Sequence, residues 1–202
     1  MPEPTARSSY HHGDLRNALL TAGAQLAEEG GPDAVGVRAA SRIVGVSPTA
    51  AYRHFENAED LLAGVKDRAF QAMNEAMRDR VATVQDPRDR LEALGRAYVG
   101  FALAEPGLFR VAFCEKGALP FDELPAPLAL VAQVMDELVA AGRLPVERRP
   151  MAEIAAWASV HGVARLALDG PLANIAPELY TAAVDRVIDV TLRGLTGEGI
   201  TS

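Results

Sequence analysis

Arg38, Arg42 and Arg53 are the only charged side chains between Asp33 and Glu56. A guanidinium offers a planar fork of donors that matches a phosphate or the O6/N7 edge of a guanine. Thr49 and Ala50 lie close to Arg53 and are small enough to approach a duplex groove, where their methyls would meet thymine methyls. The segment Gly45-Val46-Ser47 that precedes them reads as a tight turn. Ser47 is placed to cap a following helix and Pro48 suits its first position. That helix, predicted over 48–54, would present Thr49, Ala50, Arg53 and His54. Tyr52 and Phe55, three apart, would share one face as a packing anchor. With a preceding helix over 37–44, the pattern is a helix-turn-helix whose second helix enters the major groove. The candidate DNA contacts are therefore Arg38, Arg42, Ser47, Pro48, Thr49, Ala50, Tyr52, Arg53 and His54.

Several of these residues keep two readings. Arg53 contacts a guanine or a phosphate. Thr49 and Ala50 meet bases, or are small to let helices pack. Tyr52 packs or touches phosphate, His54 contacts phosphate or faces solvent, and Arg42 is a contact or a solvated charge. Tyr10, His11 and His12 form an arm for the minor groove or a tail without function.

Charge limits how such a surface could work. The 202-residue chain carries a formal net charge of -7. Residues 1–60 contain five Arg against eight Asp plus Glu. A basic face on an acidic protein still attracts phosphate, because salt screens charges beyond about 8 Å. So few cations give weak binding to one copy, which favours a dimer that doubles the contacts.

The elements that must hold these residues read as all-α. Ala, Leu and Val dominate the apolar residues, and no sustained period-two alternation occurs. Residues 1–12 read as a flexible arm. Asp14 is placed to cap a first helix reaching Glu29, closed by Gly30-Gly31-Pro32. Asn57 caps a long fourth helix, continuing to near Val84, with Asp60 three positions on in an approximate capping box. Later helices are predicted near 87–104, 108–113, 128–141, 151–168 and 177–195. The expected domains are 13–73 for DNA binding and 74–202 for ligand binding and dimerisation, the long helix connecting them.

The last two helices carry apolar residues on more than one side. Ile154, Trp157, His161, Ala164 and Leu168 form one stripe, and Ala156, Val160, Val163 and Ala167 another. Val184, Ile188, Thr191 and Leu195 run beside Ala183, Val187 and Val190. A surface helix needs one such stripe. Two suggest that Val160, Val163, Ala167, Val184, Val187, Ile188, Thr191 and Leu195 meet a second copy in a four-helix interface.

Chemistry elsewhere is sparse. Met73, Met77, Tyr98, Phe101, Phe109, Phe113, Met135, Leu138 and Trp157 could line an apolar pocket or simply form core. His161, four residues after Trp157, would orient a polar ligand group or hold helices together. No second His or acid stands near it, so a metal site is not expected. No cofactor motif appears, and the adjacent Asp122 and Glu123 make a poor acid pair. An enzyme is therefore the weaker alternative, beside a helical interaction module whose helix-turn-helix no longer binds DNA. Cys114 cannot form an intramolecular disulfide, being the single cysteine; it reads as inert filling or as a redox sensor. The chain shows neither a signal peptide nor a membrane span, which predicts a cytoplasmic location without membrane contact.

Taken together, the chain resembles a TetR-family transcriptional regulator. Gly45-Val46-Ser47, Tyr52-Arg53-His54-Phe55 and Leu61-Leu62 carry the resemblance in the N-terminal part. Ala156-Trp157-Ala158-Ser159-Val160-His161-Gly162 is similar to the signature of the Trp-His-Gly (WHG) subclass of C-terminal domains, as are Tyr98-Val99-Gly100-Phe101-Ala102 and Glu105-Pro106-Gly107-Leu108-Phe109. The resemblance implies a homodimeric repressor on a palindromic double-stranded DNA operator, released by a small, largely apolar effector. It also implies a lysine where this chain has Ala58, an Ala where it has Ser41, and a polar residue where it has Ile43. Those departures thin the expected DNA contacts.

Overall fold

The computed structural model describes residues 12–115 and 125–197, and among them the only regular secondary structure is helical. Nine α-helices follow one another: α1 (His12–Gly30), α2 (Val37–Val44), α3 (Pro48–Ala51), α4 (Ala58–Val81), α5 (Pro87–Ala104), α6 (Pro106–Ala112), α7 (Ala126–Ala140), α8 (Ala152–Asp169) and α9 (Pro177–Thr196). Tyr10 and His11 of the expected arm, and the Asp122–Glu123 pair, lie outside the described residues.

Local chemistry explains most boundaries. Gly45 closes α2 in the left-handed region (φ 77°), which a residue with a Cβ adopts only at a cost. Its N–H donates to the Arg42 carbonyl and the Val46 N–H to the Ser41 carbonyl, the paired bonds of a Schellman closure. Asn57 Oδ1 accepts from the Asp60 N–H at 2.9 Å to start α4. The return bond of the expected capping box is displaced by one residue, since Asp60 Oδ2 accepts from the Glu56 N–H. Asp86 starts α5 by accepting from the N–H groups of both Arg88 and Asp89.

Two sequence expectations move. The first helix begins at His12, two residues before the expected cap position at Asp14. The third helix is shorter than 48–54: one α-helical turn ends at Ala51, and Tyr52 to His54 continue as hydrogen-bonded turns.

Two apolar clusters organise the chain. One gathers α1 to α3 around the first part of α4, with Leu19, Ala40, Ala51, Phe55, Leu61 and Val65 at its centre. The other gathers α5, α7, α8 and α9 around the second part of α4, where Met73, Met77 and Val81 turn inward. One helix thus serves both cores, and at about 1.5 Å per residue its 24 residues span roughly 36 Å. The short α6 bridges them: Val111 is buried in the first cluster and Phe109 in the second. Buried Lys66 of α4 adds a tether by donating from Nζ to the Cys114 carbonyl just beyond α6, at 2.9 Å.

Candidate nucleic-acid interface and ligand cavity

In the turn between α2 and α3, Ser47 Oγ accepts from the Ala50 N–H at 3.2 Å, and Pro48 occupies the first helical position. Such a cap contributes about 1 kcal/mol, which matters for a helix of a single regular turn. Ala51 and Phe55 bury themselves completely beneath it. The Arg16 guanidinium lies 5.0 Å from the centre of the Phe55 ring. This fixes the outward face: Ser47, Pro48, Thr49, Tyr52 and Arg53 are exposed, with Ala50 and His54 half-buried. Tyr52 does not join Phe55 as a packing anchor, since it is 43% exposed. Its position just past the helix turns it away from the side where Phe55 is held.

Arg38 and Arg42 are exposed on α2 beside Ile43, an apolar residue that is itself 45% exposed. Arg38, Arg42 and Arg53 make no ion pair among the described residues, so their charge is available to an anion. The start of α4 is a poor substitute for the lysine missing at Ala58. Asn57 already takes the Asp60 amide, and the Glu59 and Asp60 carboxylates occupy the first turn.

The second site is a cavity inside the C-terminal cluster, partly open to solvent. α4 contributes Phe70, Met73 and Met77; α5 contributes Leu94, Gly95 and Tyr98. Leu128 and Val131 of α7, Ala156 and Trp157 of α8, and Ile188 and Thr191 of α9 complete most of the wall, with Phe113 beyond α6. Of the residues expected to line a pocket, Met73, Met77, Tyr98, Phe113 and Trp157 do so. Phe101, Phe109, Met135 and Leu138 do not: all four are buried in core outside the lining, Phe109 directly behind Phe113 at 4.9 Å between ring centres. Helical spacing marks an inward residue, and whether it meets a side chain or a void depends on the facing helix.

One polar chain runs along the cavity wall. The Trp157 Nε1–H donates to the Tyr98 hydroxyl at 3.0 Å, and that hydroxyl lies 2.7 Å from His161 Nδ1. His161 therefore stands behind Tyr98 rather than in the lining. Its ring is T-shaped to Phe113 at 4.7 Å and near-parallel to Phe109 at 5.5 Å. Burial, with the charge of Arg165, pushes its pKa below the ordinary histidine value. Burial also raises the Tyr98 pKa, so its hydroxyl keeps its proton.

Of the dimer residues expected on α8 and α9, Val160, Val163, Val184 and Ile188 are buried in the protomer's own core, and Ala167, Val187, Thr191 and Leu195 are half-buried. Val160, Ile188 and Thr191 line the cavity. Val187 and Leu195 pack against the same core. Most of both apolar stripes points inward because α8 and α9 pack on each other and on α5, while Val190 stays 46% exposed. The faces left exposed carry Ala155, Ala158, Gly162 and Leu166 on α8, and Leu179, Ala182, Arg186 and Val190 on α9.

Comparison with known proteins agrees with this architecture. Residues 19–65 match the family described as bacterial regulatory proteins, tetR family, and residues 91–191 match the Tetracyclin repressor-like, C-terminal domain. No protein of curated function matches the sequence. Among solved structures, a protein of unknown function from Rhodococcus sp. RHA1 is 30% identical, with TM-score 0.79 over 94% of this chain and 100% of that one. The fatty acid degradation regulator FadR from Bacillus halodurans shares the fold at 21% identity and TM-score 0.74, over 89% of this chain and 95% of its own. A TetR from Acinetobacter baumannii AYE, in complex with minocycline, does so at 20% identity and TM-score 0.65, over 88% and 94%. With two family domains in sequence, one covering half the chain, the protein belongs to the TetR family of DNA-binding transcription regulators, which carry a ligand-binding C-terminal domain.

Proposed function

We propose that the protein is a cytoplasmic homodimeric repressor, released from a palindromic operator when a small, largely apolar effector fills the cavity. The observation that carries this reading is the double duty of α4. Leu61 and Val65 anchor it in the DNA-reading cluster, while Met73 and Met77 form cavity wall. An effector that moves Met73 or Met77 moves the head. Arg53, Thr49 and Ala50 then read base edges, with Ser47, Pro48, Tyr52, His54, Arg38 and Arg42 against the backbone. The C-terminal domain fits the WHG subclass, with Trp157 and His161 as its signature pair.

Pairing uses the exposed faces of α8 and α9. Ala155, Ala158 and Gly162 are small enough for a partner helix to approach closely, and Leu166, Leu179 and Val190 supply apolar area. Two heads must meet successive major grooves about 34–36 Å apart, so a modest change in their separation ends simultaneous binding. Selection of genomic fragments by the purified protein tests the reading. Recovery of a two-fold symmetric site supports it, and absence of any enriched site at moderate salt overturns it.

A further inference from the structure

We propose that the effector is electrically neutral and hydrophobic, and that it presents a hydrogen-bond donor, a hydroxyl or N–H, to the Tyr98 oxygen. The inference rests on the cavity being the effector site. None of the described residues lining it carries a charge, and its only polar side chains are Tyr98, Trp157 and Thr191.

All three have spent their hydrogens inside the protein. Thr191 Oγ1 donates to the Val187 carbonyl at 2.7 Å. The Trp157 indole is a donor only, and its hydrogen goes to Tyr98. Tyr98 is 3% exposed, and its hydroxyl has one remaining described partner, His161 Nδ1. Were the histidine to donate instead, the buried Tyr98 hydrogen would have no described partner, which is costly. The arrangement that gives both the Trp157 and the Tyr98 hydrogens an acceptor is a head-to-tail chain from Trp157 through Tyr98 to His161, in which each bond polarises the next. The described side chains of the cavity then offer lone pairs and no hydrogens. A carboxylate or phosphate entering would lose its water and gain no donor, and an ammonium would find no counter-charge. A hydroxyl meets the second lone pair of Tyr98 without disturbing the chain.

Trp157 is the only tryptophan, so its fluorescence reports on the cavity directly. The test titrates the intact protein with four probes that share a butyl-phenyl body: 4-butylphenol, 4-butylanisole, 4-butylbenzoate and 4-butylbenzylammonium. The phenol is expected to bind about tenfold more tightly than the anisole, the worth of one hydrogen bond, and the two ions about a hundredfold more weakly than the phenol. In Tyr98→Phe, with its helix content checked by circular dichroism, the phenol's advantage over the anisole should vanish. An ion that binds as well as the phenol overturns the neutral class and leaves the cavity as the effector site. Equal binding of phenol and anisole overturns the donor assignment. If no probe perturbs Trp157, the cavity reading fails and this inference fails with it.

Discussion

Gly107 of α6 lies directly on the backbone of α1 at Glu28. A Cβ added to Gly107 would sit 2.4 Å from the Glu28 Cα and 2.6 Å from its amide nitrogen, distances no side chain can occupy. Because the obstruction is backbone, it cannot be relieved by rotating a side chain. α6 touches the DNA-reading cluster here, while Phe113, just past its end, forms cavity wall and meets Phe70 of α4 edge-on at 5.5 Å. This crossing gives the cavity a second route to the head besides α4.

Replacing Gly107 by Ala should therefore force α6 and α1 apart. Overpacking of this kind costs about 1–3 kcal/mol. In a chain of this size each kcal/mol lowers the melting temperature by about 2–4 °C. Calorimetry of the variant checks this. An unchanged melting temperature would mean that the two helices separate without loss, and that the crossing does not couple the domains.

The same junction should respond to pH. Burial first, then the hydrogen bond and charge of Glu28, hold the Glu105 carboxyl above its ordinary range. The folded protein thus binds this proton more tightly than the unfolded chain does. Stability from the pair is complete below the ordinary carboxyl value of 4.5 and is lost as pH rises through the raised folded value. Capping Asp86 and ion-paired Asp189 are shifted downward and act in the opposite sense, so the wild-type profile alone will not isolate the pair. Glu105→Gln isolates it. Urea midpoints between about pH 4 and pH 7 should show the variant gaining on the wild type as pH rises. A constant difference across that range would remove the pair as a pH-sensitive contact.

The sequence showed the head more clearly than the cavity, for physical reasons. Gly45, Ser47, Pro48, Asn57 and Asp86 act within a few residues of themselves, through caps and turns whose rules are local. Each sits at the boundary where its chemistry places it. The cavity depends on five helices meeting at a distance. Val160, Ile188 and Thr191 have the same spacing whether they face a void or a partner, and only packing separates the cases. Phe101 and Met135 are as apolar as Phe113 and Met73, yet they fill core. Nothing in the type of Leu94, Gly95 or Ala156 distinguishes a cavity wall from a helix contact, and Ala156 reads only as part of an apolar stripe. The exposed face of α8 was legible in principle. Ala155, Ala158 and Gly162 repeat at helical spacing, but small residues carry little apolar area and so make a weaker stripe than large ones.

Arg53 supplies a sharp test of the reading face. It is exposed, the only cation on or just after α3, and unpaired among the described residues. Arg53→Ala should weaken operator binding without changing the oligomeric state in solution. If Arg53 meets a phosphate, the slope of log affinity against log salt should fall by about 0.9 per head, with similar losses on all sequences. If it meets a guanine, the loss should be about 1–3 kcal/mol and confined to one operator position. Anisotropy titrations at several salt concentrations distinguish the two. Affinity and slope both equal to wild type would remove Arg53 from the interface.

Filling the cavity tests the regulatory half of the proposal independently of DNA contact. Ala156 is on α8 beside Trp157 and borders the void, so Ala156→Leu places a branched side chain where a ligand would lie. Adding three carbons to a packed core costs about 1–3 kcal/mol. Here they enter open space, and burying their apolar surface offsets the strain. The melting temperature should therefore stay near that of the wild type, and operator binding should persist where the leucine, anchored on α8, takes up the void without shifting Met73 and Met77 of α4. What should disappear is the cavity's response: 4-butylphenol should no longer perturb Trp157 or change operator affinity. Retained release of the operator by the probe would place the effector elsewhere in the molecule. Loss of operator binding without any probe would show that filling the void from α8 is itself enough to move α4, as an effector is proposed to do.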